Sequence, residues 1–267
     1  MSWLGRIVRA RARALLALVG RLGDWLDGWL GGWPGWLLAG VLAGVLPGLA
    51  CATLGWPGQH LLTALACWPL LLAAVRQDRL DRATLTLGSA ALAHAGFVFA
   101  FVALDPARAD AFYPPGAAYW LQTQQWIVTG QAPEYDTRNW LLAHGQLFIA
   151  VVLLSVCSLG WVPLWQGFRE ADLMNYYVGH LLTQSADPLT ALLWGWHPWS
   201  VCRGVGYVVV VFEVSSATLA WLAGQPLSPR GRRQRRWLLG VLFLLADACL
   251  KYLCSDGVRR VLAANLN

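Results

Sequence analysis

The sequence predicts an all-α protein: a polytopic transmembrane helical bundle of about six or seven spans. One span is broken or re-entrant, and an amphipathic interfacial helix stands at the N-terminus. Three observations predict it. Of the 267 residues, 57% are hydrophobic and 13% charged, whereas about a quarter of a soluble domain is charged. The apolar residues gather in stretches of about 20, enough at ~1.5 Å per residue to cross a ~30 Å hydrocarbon core. Arginines concentrate in short segments beside those stretches, as cytoplasmic loops require.

Segment 1–30 is expected to lie on the cytoplasmic leaflet as an amphipathic helix. Leu4, Ile7, Leu15, Leu18, Leu22, Trp25 and Trp29 recur at helical spacing, with Arg6, Arg9, Arg13 and Arg21 between them. The apolar core is short and no small-residue cleavage site follows, which argues against a secretory signal. Packing on the protein's own cytoplasmic loops is the alternative reading of the same pattern.

Segment 33–104 holds three spans, over 33–54, 60–75 and 83–104. Gly40, Gly44 and Gly48 repeat every fourth residue, which lets another helix approach closely; such seams more often pack internally than form dimers. Pro47 and Pro69 are potential kinks. Arg76, Arg79 and Arg82 mark the turn before the third span as cytoplasmic. The loop 105–139 is expected outside, with Asp105, Asp110, Glu134 and Asp136 against Arg108 and Arg138. Its aromatics, among them Tyr119, Trp120, Trp126 and Tyr135, predict a short helix over 117–128 at the outer interface. Sugar binding is a weaker reading of the same Trp and Gln residues.

Segment 140–255 is expected as a C-terminal helical bundle, followed by a tail over 256–267. Residues 140–162, beginning at Trp140, return the chain inward. Spans 201–224 and 237–254 carry Glu213 and Asp247, and the arginines of 230–236 join them on the cytoplasmic side. Span 201–224 therefore starts outside, so 172–199 must cross. That stretch contains Asn175, His180, Asp187 and Pro188, which are tolerated at membrane depth only where they are buried in protein or line a cavity. A broken helix of this kind builds binding sites in transporters; a re-entrant pair of half-helices is the alternative.

Two candidate sites follow. His94, Glu213 and Asp247 fall near the middle of their spans and define a candidate midplane polar site, either a proton or cation relay or a set of interhelical ties. Asn175, His180 and Asp187 define a candidate broken-span site. Trp196, Trp199 and Arg203, around His197 in WGWHPWSVCRG, are expected as interface anchors. No catalytic residue, metal site or cofactor is expected, since no HExxH, P-loop, dinucleotide or GxSxG pattern occurs. The six cysteines form no CxxC pair and read as small buried residues.

Residues 140–255 resemble the bacterial membrane family of stage II sporulation protein M. The resemblance rests on an apolar span followed by Asn175 and Gly179, a His197–Pro198 turn, and two spans separated by the basic segment 230–236. The family's usual His-Gly turn is here His197–Pro198, and the next acid is Glu213. The resemblance implies a non-catalytic membrane component of a larger assembly. The expected function is thus a membrane subunit or scaffold of a multiprotein envelope complex in a bacterial cytoplasmic (inner) membrane, N-terminus cytoplasmic. A transporter or channel subunit is the alternative, and an intramembrane enzyme the third. The expected partners are the lipid bilayer, other membrane proteins or a second copy of the chain. Nucleic acid is not, because the arginines sit at the ends of apolar runs.

Overall fold

The computed structural model describes residues 3–29, 32–131 and 137–266. Within them the chain is all-α, and one isolated antiparallel bridge joins Ser185 and Leu266. The helices are α1 (Trp3–Gly28), α2 (Trp33–Leu54), α3 (Gln59–Arg76), α4 (Leu80–Leu104), α5 (Pro106–Phe112), α6 (Pro114–Thr129), α7 (Thr137–Ser158), α8 (Trp161–Gln184), α9 (Pro188–Gly195), α10 (Pro198–Ala223) and α11 (Arg230–Asn265). Among the described residues five helices are long and apolar enough to cross a membrane: α2, α3, α4, α10 and α11. A shorter apolar stretch, Leu142–Ser158, lies in α7. Glu134, Tyr135 and Asp136 of the expected outer loop lie outside the described residues, as do the side chains of Leu4, Arg138 and Trp140.

The glycine seam of α2 packs on α4. A Cβ on Gly40 would overlap Ser89 and the Thr86 carbonyl, and one on Gly44 would overlap the Ala90 carbonyl. The close approach is therefore internal, and only a residue without a Cβ permits it. α10 and α11 pair in the same way: a Cβ on Gly206 would come within 3.2 Å of the Gly240 carbonyl. α1 shows both faces that its sequence allowed. Ala12, Leu16, Val19 and Leu26 are buried against the bundle, while Leu18, Trp25 and Trp29 stay exposed.

Four boundaries differ from the sequence expectation. Most of the loop 105–139 is helical, as α5 and α6. The expected helix over 117–128 lies within α6, but Trp120, Trp126 and Ile127 are buried in the core that α6 shares with α8 and α11. α8 begins at Trp161 and runs unbroken through Asp172 to Gln184, so the polar break is confined to residues 185–187. At 24 residues α8 is about 36 Å long, so the break falls at its end and not in its middle. The arginine segment 230–236 is the start of α11, and the expected tail continues that helix to Asn265.

The turn between α7 and α8 is two residues. Gly160 adopts φ +87 there, and a Cβ on it would stand 2.8 Å from Ser215 Oγ. Both the left-handed backbone and the pressure from α10 require glycine. The bundle has two distinct ends. At one, α1, the α3–α4 turn and the α10–α11 junction meet: Arg13 Nε donates to the Ala223 carbonyl at 3.4 Å, and Arg236 Nη1 donates to Asp78 at 2.6 Å. At the other lie α5, α6, α9 and the end of α11.

Candidate functional site

The most constrained polar group is Asp172, buried halfway along α8. Three side chains from two other helices converge on its carboxylate. His94 of α4 places Nε2 2.5 Å from Oδ1. His60 of α3 places Nδ1 3.3 Å from Oδ2, and Gln59 Nε2 donates to the same oxygen at 2.7 Å. α3 supplies two of the three from its first turn, where Gln59 and His60 are adjacent.

His94 is wholly buried, and its second ring nitrogen, Nδ1, lies 3.3 Å from the Gly44 carbonyl. Both ring nitrogens therefore face acceptors. A neutral imidazole has a single N–H and satisfies only one of them. One further proton, on the imidazole or on the carboxyl, satisfies both contacts and leaves the pair with no net charge. The imidazole thus links α4 to α8 through Asp172 and to α2 through the Gly44 carbonyl. Phe168 sets its edge on His94 at 5.8 Å and Trp165 stacks on His60 at 6.4 Å, which keeps the surroundings weakly polar. Nearby, Tyr113 and Cys51 lie in the field of Asp172. Burial, with the Asp172 charge adding to it, pushes the Tyr113 phenol well above its ordinary range. Among the described residues the Tyr113 hydroxyl, Gln59 Oε1 and the Thr63 hydroxyl are buried without a hydrogen-bond partner.

The three residues of the expected midplane site have separate partners. His94 is held by Asp172. Glu213 of α10 accepts from Arg236 Nη1 at 3.0 Å and lies 3.5 Å from Arg233 Nε. Asp247 of α11 receives a two-pronged contact from Arg203 of α10, at 3.0 and 3.1 Å. Arg236 and Arg232 also bind Asp78 in the α3–α4 turn, and Ser228 donates to Asp78 at 2.9 Å. Burial opposes the charge on Asp78, but the donors from Arg236, Ser228 and Arg232 outweigh it and hold the carboxyl below its usual range.

The broken-span residues are likewise apart. Asn175 is buried on α8. His180 stacks on Trp120 at 5.7 Å and lies 3.4 Å from Asp110 of α5. Asp187 is exposed and caps α9, accepting from Leu189 N at 3.0 Å and from Thr190 Oγ1 at 2.6 Å. The freed backbone of the break is satisfied by the end of α11: Asp187 N donates to Asn265 Oδ1 at 2.8 Å, and Ala186 N to the Asn265 carbonyl at 2.9 Å.

Of the expected anchors, Trp199 belongs instead to the core. The turn at His197 starts α10, and the Trp199 indole stacks on His197 at 4.6 Å beside Trp126 and Tyr177. Trp196 meets Phe99 edge-on at 6.1 Å, and Arg203 is spent on Asp247. His197 itself is buried. Desolvation, followed by the charges of Lys251 and Arg203, pushes its imidazole down to about 3.

Sequence reasoning missed Asp172, His60 and Gln59. Asp172 stands close to Arg169 and Glu170 in sequence, so its charge has nearby charged neighbours and does not stand out. The usable signal was its spacing: Phe168, Asp172, Asn175, Tyr176 and Gly179 recur at helical period, a mixed stripe that marks one buried face. Among the described residues, no group of three or more His, Cys, Asp and Glu side chains is placed to hold a metal. No protein-family model, curated protein or solved structure matches the chain.

Proposed function

We propose that this chain is a non-catalytic subunit, or scaffold, of a multiprotein complex in a bacterial-type cytoplasmic membrane. One observation carries the reading. α10 and α11 are joined by reciprocal arginine–carboxylate pairs, Arg203 with Asp247 and Arg236 with Glu213. An arginine stays charged at any physiological pH, so these pairs are fixed ties and not proton-exchanging steps. They lock a helix pair that exposes Leu238, Leu242, Leu245 and Leu253 on α11, a face for lipid or a neighbouring span. The likeness of residues 140–255 to the stage II sporulation protein M family points the same way.

In this reading the chain crosses seven times, through α2, α3, α4, α7, α8, α10 and α11, with α8 replacing the crossing expected over 172–199. The turn at Arg76–Arg82 and the arginines of α11 share one end of the bundle, which supports a cytoplasmic position for that end and for α1. The test is site-specific photocrosslinking from Leu242 and Leu245 in native membranes. A saturable adduct with one protein, weakened when Asp247→Asn loosens the α10–α11 pair, is the expected result. Adducts with lipid alone overturn the scaffold reading.

A second reading, a transporter or channel subunit, is favoured by the Asp172 site, where two histidines and a glutamine converge on one buried carboxylate in mid-helix. Reconstituted full-length protein would then dissipate an imposed pH gradient, and Asp172→Asn would abolish the flux. Proteoliposomes that hold the gradient as well as protein-free ones exclude proton passage through the isolated chain.

A further inference from the structure

Two arginine-bearing segments from opposite ends of the chain lie at one end of the bundle. Arg13 of α1 donates to the Ala223 carbonyl at the last turn of α10, and a Cβ on the next residue, Gly224, would stand 3.4 Å from Arg9 Nη1. α11 opens shortly afterwards with Arg230, Arg232, Arg233, Arg235 and Arg236. Most of the acids at this end are already engaged, Asp24 of α1 being exposed without a partner among the described residues and Asp81 serving Arg79. Asp78 serves Arg232 and Arg236, Glu213 serves Arg233 and Arg236, and Asp27 serves Trp36, Gln77 and Arg82. Among the described residues no acid pairs with Arg9, Arg13, Arg230 or Arg235, and all four are exposed.

A second observation sets the depth of this surplus charge. Trp25 and Trp29 stack at 5.0 Å on the exposed side of α1. Trp33 at the start of α2 and Trp221 in the last turns of α10 are also exposed, Trp221 to 76%. Exposed indoles on a membrane protein favour the boundary between headgroups and acyl chains, and these four lie on elements that reach this end of the bundle. The unpaired guanidinium groups therefore stand where lipid phosphates lie, and guanidinium forks match phosphate oxygens in shape as well as charge.

We propose that the α1/α10–α11 junction is a binding site for the headgroup of an anionic phospholipid. Arg9 and Arg13 hold the phosphodiester from the α1 side and Arg230 from the α11 side, while Trp221 borders the acyl chains. The site rests on the membrane reading and on the cytoplasmic placement of this end, and it is independent of the scaffold reading. A scaffold that fails to crosslink can still bind the lipid, and the reverse also holds.

The experiment is native mass spectrometry of the full-length chain in detergent, titrated with phosphatidylglycerol and with phosphatidylcholine of matched chains. Saturable adducts are expected with phosphatidylglycerol and much weaker ones with phosphatidylcholine. Near an anionic surface each arginine contributes about fivefold, so Arg9→Ala with Arg13→Ala should weaken the first lipid about thirtyfold. Should that pair fail to fold, Arg230→Ala with Arg235→Ala, on exposed positions of α11, reads the same site. Arg260→Ala, at the other end of α11, should leave binding unchanged. Equal binding of the two lipids, equal loss in Arg260→Ala, or displacement by equimolar inorganic phosphate would each overturn the proposal.

Discussion

His94 Nε2 stands 2.5 Å from Asp172 Oδ1 while the other nitrogen of the same ring faces the Gly44 carbonyl. Three helices, α2, α4 and α8, are thereby joined through one imidazole. The contact needs a proton that neither a lone carboxylate nor a neutral imidazole supplies for both bonds. Such a pair ties the bundle together.

Removing the carboxylate leaves His94 and Gln59 facing an empty acceptor position. Asp172→Ala should cost about 3–5 kcal/mol, the range for breaking a buried ion pair by deleting one partner. Asp172→Asn keeps an acceptor oxygen and should cost less. Thermal unfolding in detergent checks both. If Asp172→Ala unfolds at the wild-type temperature, the pair is not holding α4 and α8 together.

The arginine–carboxylate ties predict a different pattern. Arg236 binds Glu213, the Asp78 carboxylate and the Asp78 carbonyl at once. Arg236→Lys keeps the charge but lacks the planar fork, so it should destabilise nearly as much as Arg236→Gln, by about 2–4 kcal/mol. A lysine variant as stable as wild type would show that charge alone suffices there.

The α2–α4 seam is tested by size. Gly44→Val places side-chain atoms against the Ala90 backbone, which cannot move aside as a flexible side chain would, so the variant should fail to give a monodisperse protein. Gly88→Ala is the control, because a Cβ there meets nothing within 4 Å and alanine is the better helix former by about 1 kcal/mol. Size-exclusion profiles of fluorescent fusions separate the two outcomes.

His197 predicts a pH dependence with a defined sign. Its folded value of about 3 lies below the ordinary histidine value of 6.5, so the unfolded chain binds the proton first. The stability from burying the neutral ring is fully present above pH 6.5 and declines as pH falls toward about 3, by at most ~1.4 kcal/mol per pH unit. Asp78, held below the ordinary carboxylate value of 3.8, loses its contribution only at lower pH. Unfolding midpoints between pH 7.5 and 4.5 should fall more steeply for wild type than for His197→Phe. Parallel curves would show that His197 is not buried as a neutral ring.

Much of the architecture is local and was legible. The alternation of arginines and apolar residues in α1, the every-fourth glycines of α2 and the lengths of the apolar runs follow from helix periodicity and the thickness of a bilayer, so the all-α class and a close-packing glycine face on α2 could be read directly, while α4 as its partner could not. The bounds of α8 are less legible: Asp187 and Pro188 mark its end as a break, but its start at Trp161 is masked by the charges Arg169, Glu170 and Asp172.

What the chain alone determines, then, is which segments are helices and which face of each is apolar, because those depend on neighbours three and four residues away. Only the tertiary structure decides that Trp199 lies in the core and not at the rim, that Glu213 answers Arg236, and that His94 meets Asp172. A buried charge selects its partner by which helices adjoin it and how each is rotated about its axis. Those relations link residues as far apart as 78 positions in the His94–Asp172 pair, beyond the reach of any local pattern.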